Sequence, residues 1–154
     1  MGSVKKLSFF VARLFLSAIF LIAGFAHIAD FDGMESSLTN ALYSISEHSA
    51  GKVWVQTAVE EMMPLVPLLS ILALVCLVVG GALVLLGIKY RLGAWLLIVF
   101  LAPVTFIMHH FYFLEGPDKQ IQSIMFWKNI AILGGLIMLT LHSSSGAADY
   151  GDEG

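Results

Sequence analysis

From Met62 to Ile88 the chain holds no Asp, Glu, Lys or Arg, and the same is true of Leu92–Leu114 and Asn129–Ala148. A helix needs about 20 apolar residues to cross about 30 Å of hydrocarbon. Three uncharged runs of that length in a chain of 154 residues leave little choice of solvent. A fourth run, Leu7–Ala29, is broken only by Arg13. The whole chain is 58% hydrophobic and 12% charged. A soluble domain carries about 25% charged residues, so these charges are too few to cover a soluble surface. The reading is an all-α protein, a four-transmembrane-helix bundle with spans at about 8–29, 66–88, 91–114 and 122–142. Residues 1–142 then form a single membrane domain. The polar segment 143–154, ending Asp149-Tyr150-Gly151-Asp152-Glu153-Gly154, reads as a disordered cytoplasmic tail.

Lys5, Lys6 and the small-residue stretch Gly24-Phe25-Ala26 have the outline of a signal peptide. Arg13 splits the apolar region that such a leader requires, which favours a retained first span. Lys5 and Lys6 precede that span, and Lys89 and Arg91 lie in the turn between spans two and three. By the positive-inside rule these mark the cytoplasmic side, with both termini on it. The expected location is a bacterial inner membrane. A net charge of -3 and no basic run give no support for nucleic-acid binding. Cys76 is the one cysteine, so the chain has no internal disulfide, CxxC pair or cysteine-based zinc site.

Residues 30–65 are too long for a structureless connection. Asp32 and Glu35 have the spacing of a capping box. Met34, Leu38, Leu42 and Ile45 then recur at helical intervals among Ser36, Ser37, Asn40 and Ser44. This is an amphipathic helical insertion between helices 1 and 2. Ser49-Ala50-Gly51 breaks it, and Lys52–Met63 reads as a second helix with Trp54 at the interface. Pro64 and Pro67 re-aim the chain into span two. The insertion either lies in the headgroup layer or covers the extracytoplasmic mouth of the bundle.

Small residues let membrane helices approach closely. Ala73, Cys76, Gly80 and Gly87 fall on one strip of span two, widened by Gly81, and Gly134-Gly135 supply the same feature on span four. Ionisable groups inside a membrane are costly and therefore candidate site residues. Arg13, Ser17, Gly24 and His27 share a face of span one. Thr105, His109 and Tyr112 share a face of span three, with His110 beside them. Lys128 and Asn129 lie about two turns inside span four, at 1.5 Å per residue. His27, His109, His110, Lys128 and Asn129 thus occur at similar depth toward the extracytoplasmic side. Each taken alone fits an interfacial or snorkelling residue; together they outline a polar layer. His109 and His110 point about 100° apart on a helix and so would not share one metal ion. Haem ligation by one histidine has no companion motif. A quinone headgroup needs hydrogen-bond donors beside an apolar channel, and His109, His110, Lys128 and Asn129 supply donors at a suitable depth.

Several segments resemble the DoxX family of small four-helix membrane proteins. They are Arg13-Leu14-Phe15-Leu16, Ile22-Ala23-Gly24-Phe25-Ala26-His27, the run Gly80–Ile88, and Lys128-Asn129-Ile130-Ala131-Ile132-Leu133-Gly134-Gly135. The Lys-Asn pair is the most specific of these. The chain departs from the family at His27, where relatives often carry Lys, and at Val75-Cys76, where they often carry an acidic residue. The resemblance implies a membrane subunit of a quinone-linked oxidoreductase complex, because some relatives are subunits of a thiosulfate:quinone oxidoreductase. No cofactor motif is present in the chain, so a membrane-protein partner would hold the redox centre. The alternatives are a non-enzymatic assembly or scaffold protein, homo-oligomeric or bound to other membrane proteins, and a small transporter. The apolar middle of every span speaks against the last.

Overall fold

Hydrocarbon offers the backbone no hydrogen bonds, so a single spanning segment must satisfy its own amides by coiling into a helix. A computed structural model of the chain describes residues 2–49 and 51–141, and within them the uncharged runs are predominantly helical. The elements are α1 (Gly2–Ala29), α2 (Phe31–His48), α3 (Val53–Met62), α4 (Val66–Leu86), α5 (Tyr90–Met108) and α6 (Gly116–Leu141). Short 3₁₀ turns at Met63–Leu65 and Phe111–Phe113 precede α4 and α6. No strand occurs among the described residues. Four stretches are long and apolar enough to cross a membrane: Ser3–Ala29, Val53–Leu86, Tyr90–Phe113 and Gly116–Leu141. Their outer faces are apolar too: Phe15 is 73% exposed, Val99 64% and Met138 74%. Such a surface is stable against acyl chains and unstable in water, as befits a multi-pass integral membrane protein. His142 and the tail 143–154 lie outside the described residues.

The helices form an open arc. α4 packs between α1 and α5, and α5 between α4 and α6, while α1 and α6 barely touch. Leu77, Val84, Leu97, Leu101 and Leu136 fill the middle, with Phe20 from α1 and Ala94 from α5. The Gly80-Gly81 pair works in two directions. Gly80 faces α5, where a Cβ would lie 3.1 Å from the Gly93 carbonyl oxygen, and Gly81 faces Leu21 of α1. Gly93 supplies the other half of the α4–α5 crossing, a role its isolated position in sequence did not reveal. Gly134 and Gly135 do not repeat the pattern. A Cβ on Gly134 would meet nothing within 4 Å, and one on Gly135 only Leu16 at 3.7 Å. Gly135 sits on the seam left open between α1 and α6, and Gly134 beside it faces outward. Gly87 is not part of a packing strip either: at φ +76° it ends α4 in the left-handed conformation, its N–H donating to Leu83 O at 3.1 Å.

The insertion is helical and closes one end of the arc. α2 packs on α4 and α5 and touches α1. Leu42 is 1% exposed and joins Val59 of α3 and Val66 of α4, with Leu38, Ile45 and Ile107 around them. The apolar stripe therefore faces the bundle rather than lipid. The capping box expected at Asp32 and Glu35 is displaced. Asp30 is the N-cap, its carboxylate accepting from Gly33 N at 3.0 Å, and Asp32 falls inside the first turn. The helix starts earlier because α1 runs almost directly into α2, with Asp30 the one residue between them. A side chain at Gly33 would collide with that carboxylate. Trp54 is 74% exposed, as an interfacial anchor would be.

Candidate functional site

α5 stops six residues short of the expected span. The His109 N–H makes the last helical bond, to Thr105 O at 3.2 Å, and His109 itself has φ -117° and ψ 53°. His109 and Tyr112 therefore do not continue the helical face of Thr105. The break lets the aromatic run after it turn inward. Phe111 packs edge-on to Phe126 of α6, centroids 5.2 Å apart, and Phe126 meets Phe106 of α5 at 5.3 Å. Pairs of this geometry add about 0.5–1.5 kcal/mol beyond burial.

Unwinding sends the two histidines to different partners. His109 Nδ1 donates to Gln122 Oε1 on α6 at 2.7 Å. His110 is buried at 7% exposure and its Nδ1 donates to Ile107 O at 2.8 Å. With Nδ1 donating there, the neutral ring has Nε2 as its acceptor, and the Ser44 hydroxyl of α2 lies 3.0 Å from it. The Ser44–His110 bond ties the amphipathic helix to the end of α5. His110 and Ser44, with Asn40, Asp118 and Gln122, line a cavity of about 340 Å³ between α2 and the start of α6. On the other side of the α2–α5 contact lies an apolar groove of about 250 Å³, walled by Leu38, Met62, Cys76, Phe100, Pro103 and Ile107.

The five residues of the sequence-derived polar layer are not gathered into one site. His109 and His110 stand side by side, and only His110 lines the cavity. Lys128 is exposed on the outer face of α6, its Nζ 3.3 Å from Met125 Sδ one turn nearer the α2 end, which is how a lysine snorkels out of lipid. Asn129, the next residue, is buried at 7% exposure. Neighbours on a helix point about 100° apart, so the Lys-Asn pair divides between lipid and core. No hydrogen bond to the Asn129 side chain forms among the described residues. His27 is half-buried near the end of α1 and outside the cavity. Among the described residues no three His, Cys, Asp or Glu side chains come together as metal ligands would. Ser44, Asn40 and Gln122 escaped the sequence reading. Gln122 had a signal: it lies four and seven residues before Phe126 and Asn129, on the buried face of α6.

A DoxX family model matches residues 8–110. The chain is also 27% identical over 140 residues to the inner membrane protein YphA of Escherichia coli (strain K12), covering 91% of this chain and 86% of the relative. No solved structure matches the chain.

Proposed function

The chain belongs to the DoxX family, and from that premise we propose that it is the membrane subunit of a quinone-linked oxidoreductase complex, binding the quinone headgroup in the cavity beneath α2. One observation carries the reading: a part-buried, hydrogen-bonded Ser44–His110 pair lines a cavity that also holds the Asn40 and Gln122 amides. Quinone carbonyls accept hydrogen bonds, and the Asn40 and Gln122 amides can donate them, while the Ser44 hydroxyl is given to His110. Reduction of a quinone takes up protons and oxidation of a quinol releases them. The His110 ring, bound to Ser44 at one nitrogen and to a carbonyl at the other, suits a proton station beside the headgroup. His109 holds Gln122 and so positions a cavity wall. The apolar groove past Ile107 suits an isoprenoid tail. The redox centre belongs to a partner, since the chain carries no motif for one. Lys128, Asn129 and His27 take supporting parts in this scheme: interfacial anchor, core polar group and neighbour of the α1–α2 junction.

The test is binding of a short-chain ubiquinone analogue to the purified protein. His110→Phe and Ser44→Ala should each weaken it by about tenfold, the equivalent of one good hydrogen bond at about 1.4 kcal/mol per decade. Lys128→Met, on the outer surface, should leave it unchanged. Equal binding by all three variants and the parent sinks the reading. Partners that co-purify without any effect of quinone support the scaffold alternative instead.

The relative's inner-membrane location, together with Lys5, Lys6, Lys89 and Arg91 at one end of the bundle, supports an inner-membrane protein with both termini cytoplasmic. A periplasm-active reporter fused to the C-terminus should stay silent, and strong activity would reverse the topology.

A further inference from the structure

Arg13 is the one charged residue inside the first span, and the fold does not neutralise it. Its Nε is buried without a hydrogen-bond partner, and no ion pair to its guanidinium forms among the described residues. The group lies 5.3 Å from the Phe9 ring and 6.0 Å from that of Phe10. It occupies the space that a side chain would take at Gly87, since a Cβ there would overlap it. Phe9 is one turn closer to the N-terminus, so the side chain runs toward the end of the bundle that carries Lys5 and Lys6. Arg13 is about 10 Å deeper than Lys6 along the helix, and extending toward Phe9 lifts the guanidinium to the headgroup boundary.

Aromatic faces and the α4 carboxyl-terminal dipole attract such a cation. They give its buried Nε–H no acceptor. An ionised donor that is buried and unpaired is among the more costly groups a protein can hold. Below it the open seam between α1 and α6 forms a groove of about 350 Å³, lined by Ala12, Leu16, Gly135, Met138 and Leu139 together with Phe9 and Arg13. A cation at the interface above an apolar groove in the membrane plane matches one amphiphile, a lipid with a phosphate head.

The charges around it choose the kind. Lys5, Lys6, Lys89 and Arg91 share this end, whereas Asp30, Asp32, Glu35, Glu47, Glu60, Glu61, Glu115 and Asp118 all lie toward the α2 end. Among the described residues no acidic side chain opposes the basic end. We propose that the α1–α6 seam is a binding site for an anionic glycerophospholipid, with Arg13 on the phosphate and one acyl chain along Leu16, Gly135 and Met138. A phosphate diester offers the guanidinium fork two acceptor oxygens. Gly135 keeps the groove open, where a Cβ would meet only Leu16 at 3.7 Å. This site is at the opposite end of the bundle from the cavity beneath α2 and is independent of the quinone reading.

The test uses the full chain exchanged into vesicles of equal phosphatidylglycerol and phosphatidylcholine. It is then extracted in mild detergent and its retained lipids are weighed by native mass spectrometry. The parent should enrich phosphatidylglycerol by roughly fivefold, the share of one interfacial Arg. Arg13→Gln should bring the ratio to near one. Gly135→Leu, which fills the groove and leaves the cation in place, should also lower lipid retention. It decides the matter if the Arg13 variant does not fold. Millimolar inorganic phosphate should not displace the lipid. No enrichment by the parent, unchanged retention in both variants, displacement by phosphate alone, or a lipid-free dimer closed through this seam would each overturn the proposal.

Discussion

Gly93→Ala tests whether the α4–α5 crossing rests on glycine contact. A Cβ at Gly93 would lie 2.7 Å from the Gly80 carbonyl oxygen, 2.8 Å from Leu83 Cβ and 3.1 Å from Val84 Cγ2. The first two are backbone and Cβ atoms, which cannot swing aside. Ordinary contact begins near 3.4 Å, so the two helices must part by about 0.7 Å. Overpacking of this kind costs about 1–3 kcal/mol. Alanine returns about 0.5–1 kcal/mol through its better helical propensity. The net loss is then about 1–2 kcal/mol, and at about 2–4 °C per kcal/mol the melting temperature falls by several degrees. Gly134→Ala is the matched control. It gains the same propensity term and meets nothing within 4 Å, so it should be neutral or slightly stabilising. Both variants are melted in the same detergent, with intrinsic tryptophan fluorescence as the signal. If Gly93→Ala melts no lower than Gly134→Ala, the close approach of Gly80 and Gly93 does not hold these helices together.

Leu42→Ala empties the contact that seats α2 on the bundle and should cost about 2–5 kcal/mol locally; limited proteolysis should then cut within residues 31–52 faster than in the parent while α4–α6 stay protected, and uniform cleavage rates would refute the seating. Asp30→Ala removes the α2 cap, worth about 0.5–2 kcal/mol, and should speed amide hydrogen exchange at Asp32 to Glu35 without changing exchange in α5. An unchanged first turn would mean that the continuity with α1, rather than the cap, holds the start of α2.

Burial in lipid made most of the fold legible. Four apolar runs, basic residues at one end and the stripe of Met34, Leu38, Leu42 and Ile45 carry the bundle and its insertion, because the cost of an unsatisfied backbone amide in hydrocarbon exceeds any subtler preference. What the residues did not disclose was which neighbour each face meets. The GG pairs of α4 and α6 look alike in sequence, yet one lies at a three-helix contact and the other on an open seam. Periodicity gives a direction around an axis and says nothing of what lies there. The break at His109 was hidden for a related reason. An uncharged run ending in aromatics reads as continuous helix, and the contact of Phe111 with Phe126 that rewards unwinding is thirteen residues or more from the break on another element. Depth alone grouped His27, His109, His110, Lys128 and Asn129; direction then separated them.

That separation bears on what the Lys-Asn pair is for. Two adjacent helical positions cannot both face a ligand, and here Lys128 reaches along the outside of α6 while Asn129 sits in the core. A pair built to bind a headgroup would place its members three or four residues apart, as Gln122 and Phe126 are. The observed arrangement suits a helix whose depth and rotation must both be fixed. Lys128 sets the depth, since its ammonium must reach the interface. Asn129 marks the rotation, since it stands at 7% exposure on the same buried face as Phe126. Fixing α6 in this way holds Gln122 at the wall of the cavity, one helical face and seven residues away. The Lys-Asn pair then bears on the cavity only through the helix that carries it, and the residues that line the cavity are the less conspicuous Ser44, His110 and Gln122.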